Sequence, residues 1–224
     1  MLFTKWFNVV LLLSGGICWL SAYLLIIHRS FKDKSYGMPF TGLALNITWE
    51  FLYGFIFVPV TLSLQTWVNR CWFLFDILIL IAYFRFGKEE WKNKSLRSFF
   101  IPHFLFSLIA AYLLLYFFEL DFKVQAITYS AFIMNLLLSG LFIQLFYERN
   151  SLKGQSFGIA LFKLLGTAFA SLFLLNGFTF FLQLTGLLCF VLDFIYLLLV
   201  FQQYKKENRN IFTRELKENF DNVN

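Results

Sequence analysis

Three acids stand where water is scarce. Glu50 lies within "GMPFTGLALNITWEFLYGFIFVP" (37–59), Asp76 within "WFLFDILILIAYF" (72–84) and Asp193 within "CFVLDFIYLLLVF" (189–201). A charge at the centre of a bilayer costs at least ~2.5 kcal/mol on insertion scales, so ionisable residues there usually face the bundle interior and mark a site. Burial disfavours the charged carboxylate. An acid held this way is expected to keep its proton at neutral pH and to be able to hand it to a guest in a cavity. Asn46, Asn135, Lys163 and Gln183 are the other candidates among the polar residues of the apolar runs.

Helical spacing gives each acid its neighbours. Asn46, Tyr53 and Gly54 share a face with Glu50. Cys189, Tyr196 and Leu197 share one with Asp193. Trp72, Ile79 and Leu80 share one with Asp76, and Tyr83 lies a turn further on. At 1.5 Å per residue Glu50 is ~16 Å from Pro39, Asp193 ~18 Å from Lys205 and Asp76 ~14 Å from Arg85. The three carboxyls thus fall near one plane, where they would line one cavity if the helices pack face to face. The plainer alternative is that an acid only hydrogen-bonds a neighbouring helix, with Asp76 pairing with Lys163 or Asn46. Lys163 reads as a snorkelling or paired lysine. Glu119 and Asp121 lie at a helix end, and His28 and His103 at a solvated interface.

The elements that must position these residues are membrane spans. Of the 224 residues, 59% are hydrophobic and only 14% charged, where soluble domains average about 25% charged. A spanning helix needs about 20 mostly apolar residues. Seven stretches qualify: 8–27, 38–60, 67–85, 99–118, 126–147, 157–175 and 178–203. The third is interrupted at its start by Asn69 and Arg70, and Arg70 is expected to snorkel to the interface. The fold class is therefore an all-α membrane protein. Residues 1–204 form one seven-helix domain and 205–224 a charged cytoplasmic tail.

Orientation follows the positive-inside rule. With the N-terminus outside, fifteen Lys and Arg fall on the inner side and three (Lys5, Arg70, Lys123) on the outer side, with Lys163 inside a span. The N-terminus is expected outside and the C-terminus in the cytoplasm. The net charge of +6 sits in loops and tail, which suits anionic lipid headgroups rather than nucleic acid. Cys18, Cys71 and Cys189 have no paired spacing, so neither a disulfide framework nor a metal box is indicated.

An offset of 117 residues lays 72–84 on 189–201, matching Asp76 to Asp193, Gly37 to Gly154, Phe40 to Phe157 and Asn46 to Lys163. It pairs helices 1–3 with 5–7 in a parallel 3+1+3 repeat of the kind known in membrane carriers. Chance similarity between oily segments is the alternative. No DDxxD-like cluster, HExxH, P-loop or Rossmann fingerprint occurs. The seventh span has no lysine for a retinal Schiff base.

"MPFTGLALNITWEFLYG" (38–54) resembles the Met-Pro … Asn-x-x-Trp-Glu-x-x-Tyr signature of the small seven-helix integral-membrane terpene cyclases. These belong to fungal meroterpenoid and indole-diterpene pathways and have bacterial relatives. The matching residues are Met38, Pro39, Asn46, Trp49, Glu50, Tyr53 and Gly54. "RCWFLFD" (Arg70, Trp72, Asp76) is similar to the family's third helix. "LDFIYLLLVFQQ" is similar to its last, which carries a second catalytic acid, here Asp193. Helices 4 to 6 match only as apolar helices. Thr48 stands where a smaller residue is expected, and Lys163 departs from the pattern.

The resemblance implies metal-independent cyclisation, with no cofactor, of a lipophilic prenyl or epoxyprenyl chain in the membrane. An acid protonates an epoxide or terminal alkene, and rings close through carbocations until a base removes a proton. Glu50 and Asp193 are the expected acid pair, with no order assigned between them. Asn46, Trp49, Tyr53, Trp72, Asp76 and Tyr196 are expected to support them or line the cavity. A different class, a small proton-coupled carrier or receptor of 3+1+3 architecture, would use the same carboxyls to couple proton and solute movement.

Overall fold

A computed structural model describes residues 4–211, so 212–224 of the expected tail, with Arg214 and Lys217, lie outside the described residues. Seven helices follow one another: α1 (Lys5–Asp33), α2 (Phe40–Phe51), α3 (Leu64–Glu90), α4 (Phe100–Phe122), α5 (Ala126–Arg149), α6 (Phe157–Leu174) and α7 (Phe180–Lys206). Each overlaps one of the seven expected spans, and α7 continues two residues into the segment read as tail.

Hydroxyl side chains start four of the helices. Thr4, Ser63, Ser156 and Thr179 accept from the backbone N–H three residues on, satisfying a donor that the helix itself leaves open. Lys34 and Asn150 close α1 and α5 in the left-handed conformation.

Six of the helices are long and apolar enough to cross a membrane. The second span departs from expectation. The stretch read as 38–60 is a 12-residue α-helix followed by a five-residue π turn, Leu52–Ile56. Pro39 sits at its N-cap. Pro59, with no N–H and a restricted predecessor, cannot continue the helix. The π turn is closed by Phe57 N–H donating to Leu52 O at 2.7 Å. Arg70 does not simply turn to the interface: its Nε donates to Gly54 O at 2.8 Å. Its guanidinium lies 4.9 Å from the Trp67 ring and 5.3 Å from Phe55. The residue that seemed to spoil the third span therefore caps the irregular end of the second.

α1 packs along α6 and α3, α3 along α2, and α7 between α5 and α6. α4 rests on α2 and α5 and turns Phe106, Ile109, Leu114 and Phe117 outward. In a soluble protein this would be an aggregation hazard; facing lipid it needs no cover.

The loops after α1, α3, α5 and α7 meet at one end of the bundle. Arg149 donates to Glu90 at 2.7 Å and stacks over Tyr36 at 4.2 Å. Gly154 N–H donates to Asp33 at 2.9 Å, and Leu152 N–H to Glu207 at 3.3 Å. Gly37 and Gly154 abut here. A Cβ on Gly37 would lie 2.9 Å from Gly154 O, and one on Gly154, at φ +71°, 2.9 Å from Tyr36 O. Gly154→Ala should therefore destabilise by more than ~1 kcal/mol, through both the positive φ and the close backbone. The expected outcome is a lower thermal midpoint in detergent, with the same substitution at Gly140, which has open space around it, as the comparison.

Candidate active site

A cavity of ≈ 360 Å³ opens between α1, α2, α3, α5 and α6. On α1 its wall runs from Leu11 to Tyr23, a rise of ~18 Å. Gln65, Ile127 and Phe173 line it near the end of the bundle away from the basic loops, and Tyr23, Asn46 and Glu50 lie deepest. Three indoles, Trp19, Trp49 and Trp72, face it. Apart from this deep end, Gln65, Thr128 and Asn135, the wall is apolar or glycine.

The acid is built by α2. Asn46 and Glu50 are one turn apart on the face that meets α1 and α3. Asn46 Nδ2 lies 2.8 Å from Glu50 Oε1 and 2.8 Å from Asp76 Oδ2. It also lies 2.5 Å from Tyr23 Oη. An amide carries two hydrogens. The two carboxyl contacts use both, while Tyr23 donates its own hydrogen to Glu50 Oε1 at 3.0 Å. Asn46 thus bridges two acids from different helices. Glu50 Oε2 and Asp76 Oδ1 are buried with no hydrogen-bond partner. Among the described residues neither acid meets a cation, and both are buried, Glu50 at 1% and Asp76 at 0% exposure. A protonated pair, or a pair sharing a proton, is the form such a site tolerates, because an isolated buried carboxylate is far more costly.

Asp193 belongs to a second polar centre. Its Oδ1 is ion-paired with Lys163, and its Oδ2 accepts from Thr167 Oγ1 at 2.7 Å. Lys163 also donates to Ser139 Oγ at 2.7 Å. Asp193 does not line the cavity, so Glu50 and Asp193 do not share the one chamber expected of them. The reason is local: helix spacing places Asp193 on an inward face of α7, but the helices packed there are α5 and α6, and α6 offers a lysine. Lys163 is paired, one of the two states expected, and Asp76 pairs with Asn46 rather than with Lys163.

The remaining expected residues divide. Asn46, Trp49 and Trp72 line the cavity, and Asp76 stands directly behind Asn46. Tyr53 does not line it. Its ring packs 4.9 Å from Trp49 and its hydroxyl donates to Glu119 at 2.7 Å, so Glu119 is more than a solvated helix end. Trp49 Nε1 donates to Ser130 at 2.9 Å, which fixes the indole from the other side. Tyr196 is fully buried, hydrogen-bonded to Gln155 near the basic end, away from the cavity. Thr48 bonds back to Ala44 O at 2.7 Å and faces a separate groove on the α4 side.

Two cavity residues were not anticipated. Tyr23 holds Glu50, and Trp19, one helical turn earlier on α1, packs edge-on against it at 6.0 Å. The Trp-x-x-x-Tyr spacing was the available signal. Trp19 fits because Gly166 of α6 has no Cβ, which would lie 2.6 Å from Trp19 Cδ1. Lys163 Nζ sits 5.4 Å from the same indole. Trp19 therefore stands between the two polar centres. Among the described residues no group of three or more His, Cys, Asp or Glu side chains is placed to hold a metal ion.

The profile of the Pyr4-like transmembrane terpene cyclases matches residues 1–201. The chain belongs to this family. It is 33% identical over 165 residues to the Pyr4-family terpene cyclase mfmH of Annulohypoxylon moriforme, covering 72% of this chain and 67% of that one. It is 30% identical over 214 residues to the terpene cyclase pyr4 of Aspergillus fumigatus, covering 89% and 88%. It is 31% identical over 157 residues to the asnovolin H synthase nvfL of Aspergillus novofumigatus, covering 69% and 64%. No solved structure matches. Membership favours an enzyme of the membrane terpene cyclase type over a carrier, and bears out the resemblance carried by Asn46, Trp49, Glu50 and Tyr53.

The second centre makes a stability prediction. Lys163→Met leaves Asp193 buried without its counter-charge and should cost ~3–5 kcal/mol. Combining Lys163→Met with Asp193→Leu removes both charges and should recover most of that loss. Thermal midpoints in detergent check the order; a single variant as stable as wild type would show that the pair contributes nothing.

Proposed function

We propose that this protein is an integral-membrane cyclase that starts ring closure of a lipophilic prenyl or epoxyprenyl chain by proton transfer from Glu50. The observation that carries the proposal is the state of that acid. It is buried, has no counter-cation among the described residues, keeps one oxygen without a partner, and lies at the deep end of a cavity faced by three tryptophans. The chain enters with its reactive end toward Glu50. The carboxyl O–H breaks and its proton goes to the epoxide oxygen, whose C–O bond opens to leave a hydroxyl, or to the terminal alkene carbon; the next double bond along supplies the electrons that close the ring on the carbon left electron-poor. Asp76, through Asn46, and Tyr23 hold the carboxylate left behind.

Positive charge then moves along the chain. The faces of Trp19, Trp49 and Trp72 attract it by ~0.5–2 kcal/mol each, and exclusion of water prevents premature quenching. The sequence ends when the Glu50 carboxylate takes a proton back from the cation, which restores the acid. Asp193 serves from the second centre as an ionised carboxylate held by Lys163, so the two acids divide the work: one donates, the other anchors. No metal or cofactor takes part in these steps.

The chain crosses the membrane seven times, with the basic end and the C-terminus in the cytoplasm. The gathering of Arg149, Lys153 and the loops after α1 and α3 at one end supports this orientation. The core is a duplicated three-helix unit. In support, the 117-residue offset carries the Asn46–Asp76 contact onto Lys163–Asp193 and places Thr167 where the first unit has Glu50. α1 packs on α6 as α5 packs on α2.

Glu50→Gln should lower turnover of a prenylated test substrate in membranes by about 10²–10⁴-fold, the usual contribution of a positioned general acid. Asp76→Asn, which leaves Glu50 its hydrogen, should cost less. Wild-type turnover by Glu50→Gln at equal protein level would refute the assignment.

A further inference from the structure

Asn135, on α5, is part of the cavity wall, and it ends a chain of hydrogen bonds that begins at the buried ion pair. Its Nδ2 lies 3.2 Å from Thr167 Oγ1. Thr167 Oγ1 lies 2.7 Å from Asp193 Oδ2, and Asp193 is held by Lys163, which also donates to Ser139.

The chain can run in only one direction. An ammonium donates and never accepts, and an ionised carboxylate accepts and never donates. Thr167 must therefore spend its single hydrogen on Asp193. It can only accept from the group before it, so Asn135 must present its NH₂ to Thr167. The amide oxygen is the atom left over, and Asn135 Oδ1 is indeed buried with no donor. A buried carbonyl oxygen without a partner is unfavourable, and no described residue relieves it. Closed to direct contact, its dipole is relieved through space by positive charge on a guest in the cavity that Asn135 lines.

We infer that Asn135 is a specificity-determining residue whose Oδ1 draws developing positive charge to the α5 side of the cavity. Thr167, Asp193 and Lys163 are positioning residues that keep the oxygen, and not the NH₂, free for this task. The inference rests on the proton-initiated reading above, and deepens it by giving the second polar centre a physical job. Asn135 makes and breaks no bond. The dipole of its carbonyl stabilises one cationic intermediate over others, and so biases which proton is finally lost. The comparison within the protein is instructive. Where the first half of the chain has Asn46, Glu50 and Asp76, with no counter-cation among the described residues, the second half has Lys163, Thr167 and Asp193. The lysine converts a would-be proton donor into a fixed electrostatic prop.

The test uses the full chain in detergent with a phenol bearing an epoxidised farnesyl chain as probe, reading product ratios alongside rate. Asn135→Leu, close in shape but without the oxygen, should change the ratio of product isomers at least fivefold while some turnover persists. Thr167→Val, which removes the lock but leaves Asn135, should move the ratio in the same direction. Wild-type ratios from both variants, with Glu50→Gln slowed as expected, would overturn the inference and leave the acid assignment standing. Wild-type turnover by Glu50→Gln would instead overturn the acid assignment.

A binding measurement decides the inference independently of turnover. In the Glu50→Gln background, dimethyldodecylamine, cationic at neutral pH, should raise the thermal midpoint more than the neutral dodecyl methyl ether. Adding Asn135→Leu should erase that preference, and its survival would overturn the inference. Thr167→Val provides the same reading should Asn135→Leu not fold.

Discussion

The structure turns on the cost of keeping carboxyl groups out of water. Three acids lie in the bundle interior at 0–1% exposure, and the protein meets that cost in two different ways. Glu50 and Asp76 are joined through one amide, with no cation, so the economical state is one that keeps a proton. Asp193 is joined to an ammonium, so the economical state is a charged one. The same side-chain chemistry thus yields an amide-bridged pair of acids in one place and an acid neutralised by an ammonium in the other. The difference comes from two residues: Lys163 meets Asp193 as Asn46 meets Asp76, and Thr167, a turn further along α6, stands as Glu50 does on α2.

The irregular parts of the fold serve this arrangement. α2 is short and ends in a π turn just beyond Glu50, and π turns are frequent at functional sites because they re-aim side chains within a helix. Here the turn brings Gly54 O to Arg70, which ties the end of α2 to α3, the helix that carries Asp76. Gly166 lets α6 close on Trp19, so an indole stands between the two polar centres. At the far end, the abutting Gly37 and Gly154 and the Arg149–Glu90 pair hold the α1–α2 and α5–α6 turns together. The cavity wall is assembled from five helices.

Legibility in the sequence was uneven, for reasons that particular residues make clear. The long apolar stretches announced seven helices, because a bilayer core admits little else, but their number alone concealed that the second is cut short between Pro39 and Pro59. Asn46 and Glu50 were legible as a unit because both lie on one short segment and i,i+4 spacing requires them to be neighbours. Tyr53 obeys a similar spacing yet faces Glu119, since a residue three further on lies on the edge of the face and a neighbouring helix can claim it. Tyr196 and Asp193 share a face of α7 but meet α5 and α6 instead of the cavity. Tyr23 went unread because a tyrosine in an aromatic-rich membrane chain has no distinguishing pattern until its hydroxyl is seen to touch Glu50.

By itself, the sequence determined what periodicity and local spacing can carry: an all-helical membrane chain, the polar residues that must turn inward, the Asn46–Glu50 unit and the family to which that unit points. Only the tertiary structure decided the partners. That Asp76 would meet Asn46, that Asp193 would be taken by Lys163, and that Asn135 would be left with an unmatched oxygen all depend on contacts between helices 24 to 32 residues apart in the chain. Helix geometry tells which way a side chain points, but not which helix stands opposite. In a low dielectric, that neighbour settles whether an acid holds a proton or a charge.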